Sequence, residues 1–374
     1  MDLAAIFARH WSRFAASHAH LLTGAHHRAA RAVLSCRTAE LGGQVHHCAE
    51  CLEARFVYHS CNHRSCIKCG GREQKQWAAA QEAKLLPVRY FMLTFTLPDE
   101  LRRFAYAHQK WFYDVMFKAT AALLMDFAQD EKHLGGMPGF TSVLHTWTRQ
   151  MQHHPHVHVI MPGVALSEDG LRVRRAKGRR YLFPVKALAV AFRHRISTLI
   201  KASDDKHGTR HHSTIPAEVW SKSWVVDARA VGKGDHALRY LARYVNKTAV
   251  SEPRLLGYDV QGNIRLNCQD SGTGKWRVIR LTPDDFLRRW CLHVLPKGLV
   301  RVRHYGLLSA AAKKRRLGVQ EILGHVPRRK PKPLVVEKPK CPCCGKEMVL
   351  VMRMPRHLFG TIRVTVNPSR GPPE

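Results

Sequence analysis

Apolar residues recur along this chain at spacings that separate helices from strands. Near the amino terminus, Ile6, Phe14 and Leu21 follow the spacing of one helical face, which predicts a leading helix within residues 1–35. A cysteine-rich segment follows up to Cys69, and the helix predicted directly after it would end before Pro87. The same periodicity predicts helices over residues 71–86, 99–130, 184–200, 235–248 and 283–294.

Runs rich in β-branched and aromatic residues predict strands between these helices. The clearest run is VRYFMLTFTL, residues 88–97, which ends at Pro98. Similar composition predicts strands over residues 141–148, 157–161 and 224–231, and a hairpin around residues 261–263. Strands with intervening helices are typical of an α+β or α/β chain.

Composition adds a strong positive charge to this framework. The 374 residues include 61 Lys plus Arg against 28 Asp plus Glu, which gives a net charge of +33 and a pI near 10.3. Such a field attracts polyanions, and phosphate contacts supply most non-specific affinity for nucleic acids. The length is enough for two or three domains, and the 45% of hydrophobic residues predicts a globular fold. We therefore expect a nucleic-acid-binding protein, with a membrane-surface protein or a merely basic globule as alternatives.

The sequence predicts neither a membrane span nor a secretory signal. The longest apolar runs, such as residues 91–97, have the length of a strand, and the start MDLAAIFARHWSRF carries charges and lacks a cleavage site. We therefore expect a cytoplasmic protein in a reducing compartment. The eleven cysteines are then expected to bind metal ions before they form disulfides.

Two cysteine pairs predict a zinc site in the segment between residues 36 and 69. Cys48-x2-Cys51 is followed, after fourteen residues, by Cys66-x2-Cys69, and two such knuckles can offer four thiolates to one tetrahedral Zn²⁺. Four protein ligands leave no open position, so we expect a structural ion. Three spare residues could replace a ligand or bind a second ion: Cys36, Cys61 and His63.

A basic segment from Lys313 onward leads to a further group of cysteines. Its Lys, Arg and Pro content predicts a flexible linker that contacts DNA. The CPCC sequence that contains Cys341 and Cys344 has the form of half a zinc knuckle. It could pair across a dimer, be completed by His357, or bind no metal.

A histidine-rich strand supplies candidate ligands for a catalytic metal. In HHPHVHVI, His156 and His158 are two residues apart and would project from one face, with Val157 and Val159 in or near the core. Two imidazoles on one face can bind a divalent ion. The alternative is a histidine-rich surface strand in a chain with 25 histidines. His145, on the neighbouring strand, is a candidate third ligand.

Two tyrosines lie four residues apart in the predicted helix over 235–248. Tyr240 and Tyr244 would share one helical face, with Arg239 and Arg243 nearby, although ordinary packing is the alternative. Combined with the histidine strand, the pair has the layout of an HUH nuclease. In that chemistry a phenolate attacks a phosphodiester while a metal ion polarises the phosphate. Mg²⁺ or Mn²⁺ suits phosphoryl transfer, and imidazole ligands favour Mn²⁺.

The chain resembles the two-tyrosine HUH transposases of the insertion-sequence-ninety-one type almost from end to end. The resemblance rests on several blocks in the same order: SCRTAELGG, HSCNHRSCIKC, FTLPDEL, LHTW, HHPHVHVIMPG, YLFPVKAL, LRYLARYV and FLRRWCLHVLPKGLVRVRHYGLL. It implies a DNA transposase that nicks and joins single-stranded DNA through a 5′-phosphotyrosine intermediate in rolling-circle transposition. The implied partner is DNA, mainly the single-stranded or hairpin ends of the mobile element.

The same resemblance assigns roles to four residues. His156 and His158 correspond to the metal-binding pair, and Tyr240 and Tyr244 correspond to two nucleophiles, one for a first cut and the other for a second cut or transfer. The implied fold class is α+β, with an amino-terminal zinc-binding module, an HUH nuclease domain made of an antiparallel sheet flanked by helices, and a basic tail. We expect these parts at residues 1–86, 87–310 and 311–374.

A basic block near residue 300 could extend the DNA-binding surface. Its positive groups would follow phosphates while its aromatic side chains stacked on unpaired bases. A solvated basic face over buried aromatics is an equal alternative. The block contains Arg288, Arg289, Trp290, Lys297, Arg301, Arg303, His304 and Tyr305.

Two other functions fit part of the pattern. A zinc-dependent, non-catalytic regulator would bind nucleic acid and form no covalent adduct. A replication initiator or conjugative relaxase would share the chemistry but serve a different process.

Overall fold

The computed structural model describes residues 1–69, 71–178, 182–233, 248–270, 272–325 and 338–356. Its helices are α1 (Leu3–Ser17), α2 (Gly24–Ser35), α3 (Gly71–Glu82), α4 (Leu101–Ala107), α5 (Gln109–Gln129), α6 (Val185–His207), α7 (Glu218–Ser221), α8 (Pro283–Cys291) and α9 (Lys313–Ile322). Its strands are β1 (Gly43–His47), β2 (Ala54–Tyr58), β3 (Arg89–Thr96), β4 (Met137–Trp147), β5 (His153–Pro162), β6 (Val164–Leu166), β7 (Val173–Arg175), β8 (Val225–Lys233), β9 (Leu255–Tyr258), β10 (Ile264–Gln269), β11 (Trp276–Leu281), β12 (Val302–Gly306) and β13 (Val349–Met354).

A seven-stranded sheet forms the centre of the molecule. Its strand order is β7-β6-β4-β5-β3-β8, and β12 also pairs with β4. The pairings within this sheet are antiparallel. The four strands predicted from composition are confirmed as β3, β4, β5 and β8, and the predicted α+β class with an antiparallel sheet is confirmed with them.

The central sheet has one apolar face and one mixed face. Successive side chains of a strand alternate between faces, so Leu93 of β3 and Val159 of β5 enter the apolar core while their neighbours do not. Helices α5 and α6 cover this core and contribute Phe112, Phe117 and Phe192 to it. The other face carries His145 of β4 and His156 and His158 of β5.

Two of the predicted helical segments are each divided in the structure. The predicted leading helix is two helices, because Thr23 caps the start of α2 in a capping box with His26. The predicted helix over 99–130 is α4 plus α5, because the backbone of His108 leaves the helical region at φ −116° and ψ 34°. The predicted helix over 184–200 instead extends to His207 and ends at Gly208, which adopts a left-handed φ of 65°.

The amino-terminal helices pack against a region near the other end of the chain. Phe7 and Trp11 of α1 share a buried cluster with Phe286 and Trp290 of α8. The Phe7 and Trp290 rings meet edge to face, with their centroids 4.7 Å apart. Because Trp290 is buried in this cluster, the hypothesis that it stacks on bases is wrong, and the alternative of a buried aromatic holds for it.

A three-stranded sheet pairs strands from the amino-terminal and carboxyl-terminal parts of the chain. Its order is β13-β1-β2, so residues 349–354 lie beside the hairpin of the cysteine-rich segment. The basic segment from Lys313 begins as α9, in which the buried Arg316 donates to the backbone carbonyl of Leu307 at 3.3 Å. Our prediction of a flexible linker is therefore wrong for residues 313–322, and residues 326–337 lie outside the described part of the chain.

Among the described residues, the helices are too short or too polar to cross a membrane.

Candidate functional site

Three histidines converge on the mixed face of the central sheet. His145 of β4 is paired with His156 of β5, and His158 lies two residues further along β5 on the same face. One ring nitrogen from each of the three lies within 4.8 Å of the other two. His145 and His158 are buried, and His156 is half-buried. The structure thus brings together the predicted pair and the candidate third ligand.

Hydrogen bonds fix the orientation of two of these rings. His156 Nδ1 donates to the backbone carbonyl of His154 at 2.7 Å, and His158 Nδ1 lies 3.0 Å from the hydroxyl of Thr94 on β3. A donating Nδ1 leaves Nε2 of His156 with the lone pair that a metal ion needs. A hydrogen-bond partner at the ring nitrogen that does not bind the metal sets both the tautomer and the direction of a ligating imidazole.

Burial keeps His156 and His158 neutral. It lowers the pKa of His156 to about 3, with repulsion from His158 adding to the effect. It also lowers the pKa of His158 to about 4, with a smaller contribution from Arg229. Neutral imidazole is the form that binds metal, so both rings are in that form at pH 7.

The histidines line a cleft of about 440 Å³ between the central sheet and the small sheet of β9, β10 and β11. Arg149 and Trp276, both exposed, lie on its walls. Arg254 also lines the cleft and donates to the backbone carbonyls of Asn267 at 2.9 Å and Ala249 at 3.1 Å. The cleft therefore combines buried imidazoles with exposed positive and aromatic groups.

A second row of residues stands behind the histidines. The Trp147 ring stacks on His145 with the centroids 5.0 Å apart, and the Arg301 guanidinium lies 5.9 Å from the Trp147 centroid. Burial lowers the pKa of Arg301 to about 10, so this arginine stays charged at pH 7. Sequence reasoning did not single out Thr94 or Trp147, although LHTW was noted as a block. Their alternation with core residues on β3 and β4 is the signal that could have found them.

The two predicted nucleophiles, Tyr240 and Tyr244, lie outside the described residues. The predicted helix over 235–248 falls almost entirely in the same part of the chain. Thr248 is the first residue after these tyrosines that the structure describes, and the next residue, Ala249, lines the histidine cleft.

The structure separates the two cysteine knuckles that we expected to share one zinc ion, so that expectation is wrong. The thiols form two clusters, and in each the four ligand atoms lie within 4.8 Å of one another. The inner thiol cluster is Cys36, Cys61, Cys66 and Cys69, and the outer thiol cluster is Cys48, Cys51, Cys341 and Cys344.

The β1–β2 hairpin explains this separation. Gly43 pairs with Tyr58 at one end of the hairpin, and His47 pairs with Ala54 at the other. The Cys48 knuckle connects the strands at the second end, whereas Cys36 and Cys61 come just before β1 and just after β2. Five residues of strand span about 14 Å, which is too far for one ion to bridge.

The inner thiol cluster has the dimensions of a tetrahedral zinc site. Cys69 Sγ lies 3.5 Å from Cys36 Sγ and 3.6 Å from Cys61 Sγ. Zn–S bonds near 2.3 Å place thiolates about 3.8 Å apart in a tetrahedron. Cys36 and Cys66 are buried against the amino-terminal helices. Of the three spare residues, Cys36 and Cys61 thus join a cluster, whereas His63 accepts a hydrogen bond from the Ser65 N–H at 3.2 Å.

Much of the basic block near residue 300 is engaged in intramolecular contacts. Arg289 forms an ion pair with Asp285 at 2.8 Å, and Arg303 forms one with Asp114 at 2.6 Å. The Tyr305 ring stacks on Phe140 with the centroids 5.1 Å apart. These contacts favour the alternative of a basic face over buried aromatics. They do not favour a row of unpaired positive groups that would bind DNA phosphates.

The chain matches known proteins over most of its length. Residues 139–316 match a family profile described as "Putative transposase", and residues 6–97 match one described as "Transposase zinc-binding domain". A protein of Sinorhizobium fredii, "Putative transposase y4qJ", is 34% identical over 338 residues, which cover 86% of this chain and 84% of that protein. The "Transposase for insertion sequence element IS801" of Pseudomonas savastanoi pv. phaseolicola is 26% identical over 287 residues, covering 74% and 68%. No solved structure matches.

The fold, the cysteine clusters and these matches define a transposase with an amino-terminal zinc-binding domain. The chain belongs to the insertion-sequence-ninety-one family of transposases. It is thus a DNA-binding enzyme with a DNA-cleaving role. The match to a zinc-binding domain and the thiol cluster within it indicate structural zinc.

Proposed function

We propose that this transposase nicks and joins single-stranded DNA through a 5′-phosphotyrosine intermediate during rolling-circle transposition. The observation that carries the proposal is the convergence of His145, His156 and His158 in one cleft. The substrate is the single-stranded or hairpin end of the mobile element, so the enzyme acts at the bacterial nucleoid.

The three histidines suit a divalent catalytic ion. Their nitrogens are close enough to share one ion, and the Nδ1 bond of His156 leaves its Nε2 available. Three protein ligands leave positions for a phosphate oxygen and water. Mg²⁺ or Mn²⁺ fits this role, and three imidazoles favour Mn²⁺. When bound, such an ion would polarise the scissile phosphate and offset developing negative charge.

Tyr240 and Tyr244 are the proposed nucleophiles. Tyr244 precedes Ala249 of the cleft wall by five positions, so the Cα atoms of Tyr244 and Ala249 are at most about 18 Å apart. The phenolic oxygen attacks phosphorus and forms a tyrosyl–phosphate bond to the 5′ side. The bond from phosphorus to the 3′ oxygen breaks, and that oxygen takes up a proton as a free 3′-OH. The covalent link conserves the phosphodiester energy, so rejoining needs no ATP.

The cleft walls suit an unpaired strand. The Trp276 side chain is 61% exposed, so a base can stack on it. Arg149 is exposed at the same cleft and can contact a phosphate. A duplex would hold its bases away from such a surface, which favours single-stranded DNA as the substrate.

The inner thiol cluster is the proposed structural zinc site of the amino-terminal domain. Its four cysteines fall within the matched residues 6–97, and their Sγ separations fit a tetrahedral ion. The ion would hold the segment after β2 against the end of α2. It takes no part in the cleavage step.

The test uses a labelled single-stranded oligonucleotide that carries the end of the DNA element around this gene. With Mn²⁺ the wild-type protein should form a covalent protein–DNA adduct, and the double variant Tyr240→Phe/Tyr244→Phe should form none while still binding the strand. Tyr258→Phe is the matched control, because Tyr258 lies on β9, its hydroxyl contacts His10, and it is not a proposed nucleophile. An undiminished adduct in the double variant would discard the nucleophile assignment. A wild-type protein that binds the strand without any adduct would favour a non-catalytic regulator.

A further inference from the structure

The outer thiol cluster joins cysteines from opposite ends of the chain. Cys48 and Cys344 are 296 positions apart in sequence, yet their Sγ atoms lie 3.6 Å apart. We propose that the outer thiol cluster binds a second structural zinc ion, separate from the ion of the inner cluster, and that this ion fastens the carboxyl-terminal segment to the amino-terminal module. The proposal does not rest on the cleavage chemistry.

The amino-terminal half of this site is a formed zinc knuckle. The Leu52 N–H donates to the carbonyl of Cys48 at 3.0 Å, and the Cys48 N–H donates to the carbonyl of Glu53 at 2.9 Å. Leu52 adopts a left-handed φ of 54°, which is costly for a leucine and is held here by the turn. The turn projects Cys48 and Cys51 toward one point.

The carboxyl-terminal half repeats these hydrogen bonds at equivalent positions. The Gly345 N–H donates to the carbonyl of Cys341 at 2.9 Å, and the Cys341 N–H donates to the carbonyl of Lys346 at 2.8 Å. Gly345 has a φ of 72°, the counterpart of the left-handed residue in the first knuckle. Two turns with the same hydrogen bonds, each carrying a Cys-x2-Cys pair, are the two halves of a four-thiolate metal site.

Strand pairing holds the two knuckles at the same end of the β13-β1-β2 sheet. Val349 of β13 pairs with His47 of β1, and His47 pairs with Ala54 of β2. The first knuckle connects β1 to β2 at this end, and the second knuckle comes shortly before β13. The sheet thus aligns all four thiols without any contribution from a second chain.

The sulfur separations fit a metal ion and exclude a disulfide. A tetrahedral ion with Zn–S bonds near 2.3 Å sets neighbouring sulfurs about 3.8 Å apart, whereas a disulfide requires about 2.05 Å. The observed 3.6 Å between Cys48 and Cys344 agrees with the first value. All four sulfurs lie within 4.8 Å of one another. The site is therefore arranged for four thiolates around one ion.

Contacts around the thiols bind the two halves to each other. Lys346 of the second knuckle forms an ion pair with Glu50 of the first, and Arg55 donates to the carbonyl of Lys340 at 3.2 Å. Met348 is 1% exposed and packs on the buried thiols of Cys48 and Cys341. This core is very small, so a metal ion is needed to stabilise it.

The first experiment measures zinc by mass spectrometry of the purified full chain. The wild-type protein should hold two zinc ions per chain, and Cys341→Ser/Cys344→Ser should hold one. Cys343→Ser is the matched control and should keep two, because the exposed Cys343 lies between the ligands but outside the cluster. A wild-type protein with one ion, or a double variant with two, would overturn the proposal.

The second experiment needs no variant and so does not depend on folding. Alkylation with iodoacetamide, followed by peptide mapping, compares the three carboxyl-terminal thiols within the zinc-loaded wild-type protein. Cys343 should react rapidly while Cys341 and Cys344 stay protected, and a chelator should remove that protection. Equal reaction of all three thiols before chelation would refute the site. Neither readout involves DNA cleavage, so a failure here is distinguishable from a failure of the proposed nuclease function.

Discussion

The central sheet presents two unlike faces, and the contrast is sharpest along β5. Val157 and Val159 point into the apolar core under α5 and α6, whereas His156 and His158 point into the cleft. One strand thus supplies stability from one set of residues and chemistry from the alternate set. The arrangement makes the metal ligands rigid, because their backbone is fixed by the packing of their immediate neighbours.

The largest effect is expected from removal of the ligand pair. His156→Ala/His158→Ala should lower the rate of adduct formation at least about 100-fold, since a metal ion supplies several kcal/mol of transition-state stabilisation. The core residues between and beside them are unchanged, so the far-UV circular dichroism should match that of the wild type. An adduct rate near that of the wild type would remove the metal assignment.

Substitutions at two adjacent residues of β4, one on each face of the sheet, should distinguish the roles of the two faces most clearly. Leu144→Ala removes a fully buried side chain from the core and should lower the free energy of unfolding by about 2–5 kcal/mol, as measured by denaturant titration. The folded fraction of that variant should still form the adduct. His145→Ala should instead lower adduct formation with a smaller loss of stability. The opposite pattern would show that the two faces do not divide their roles as described.

The smallest effect is expected at Thr94, whose hydroxyl contacts the ring of His158. Thr94→Val removes the hydroxyl 3.0 Å from His158 Nδ1 and should weaken Mn²⁺ binding by about tenfold in a calorimetric titration. Thr94→Ser retains a hydroxyl and should bind Mn²⁺ nearly as the wild type does. Equal affinities for both variants would mean that this hydrogen bond does not orient the ring.

Local pattern was sufficient for the strands and for the histidine pair. The period of two in HHPHVHVI predicts which side chains share a face, and the structure has the same alternation. Both faces of β5 are buried, one in the apolar core and the other in the histidine cleft, so the register of the strand is fixed. His145 could be proposed only weakly, because the register between β4 and β5 depends on pairing that no single segment encodes. The division of the 99–130 helix at His108 likewise has no Pro or Gly to signal it.

The cysteine pairing could not be predicted from spacing. Two knuckles close in sequence suggested one ion, but a hairpin of about 14 Å carries the Cys48 knuckle away from Cys66 and Cys69. Its partners, Cys341 and Cys344, follow almost 300 residues later. Sequence proximity is therefore a poor guide to shared ligands when a strand pair lies between the knuckles.

The most direct test of the central claim identifies the residue that carries DNA. The adduct formed with Mn²⁺ should be digested with nuclease and then with trypsin, which can cut after Arg239, Arg243 and Lys247 and so separates Tyr240 from Tyr244. Mass spectrometry should find a nucleotide on the phenolic oxygen of one or both tyrosines. A nucleotide attached to any other residue would contradict the account.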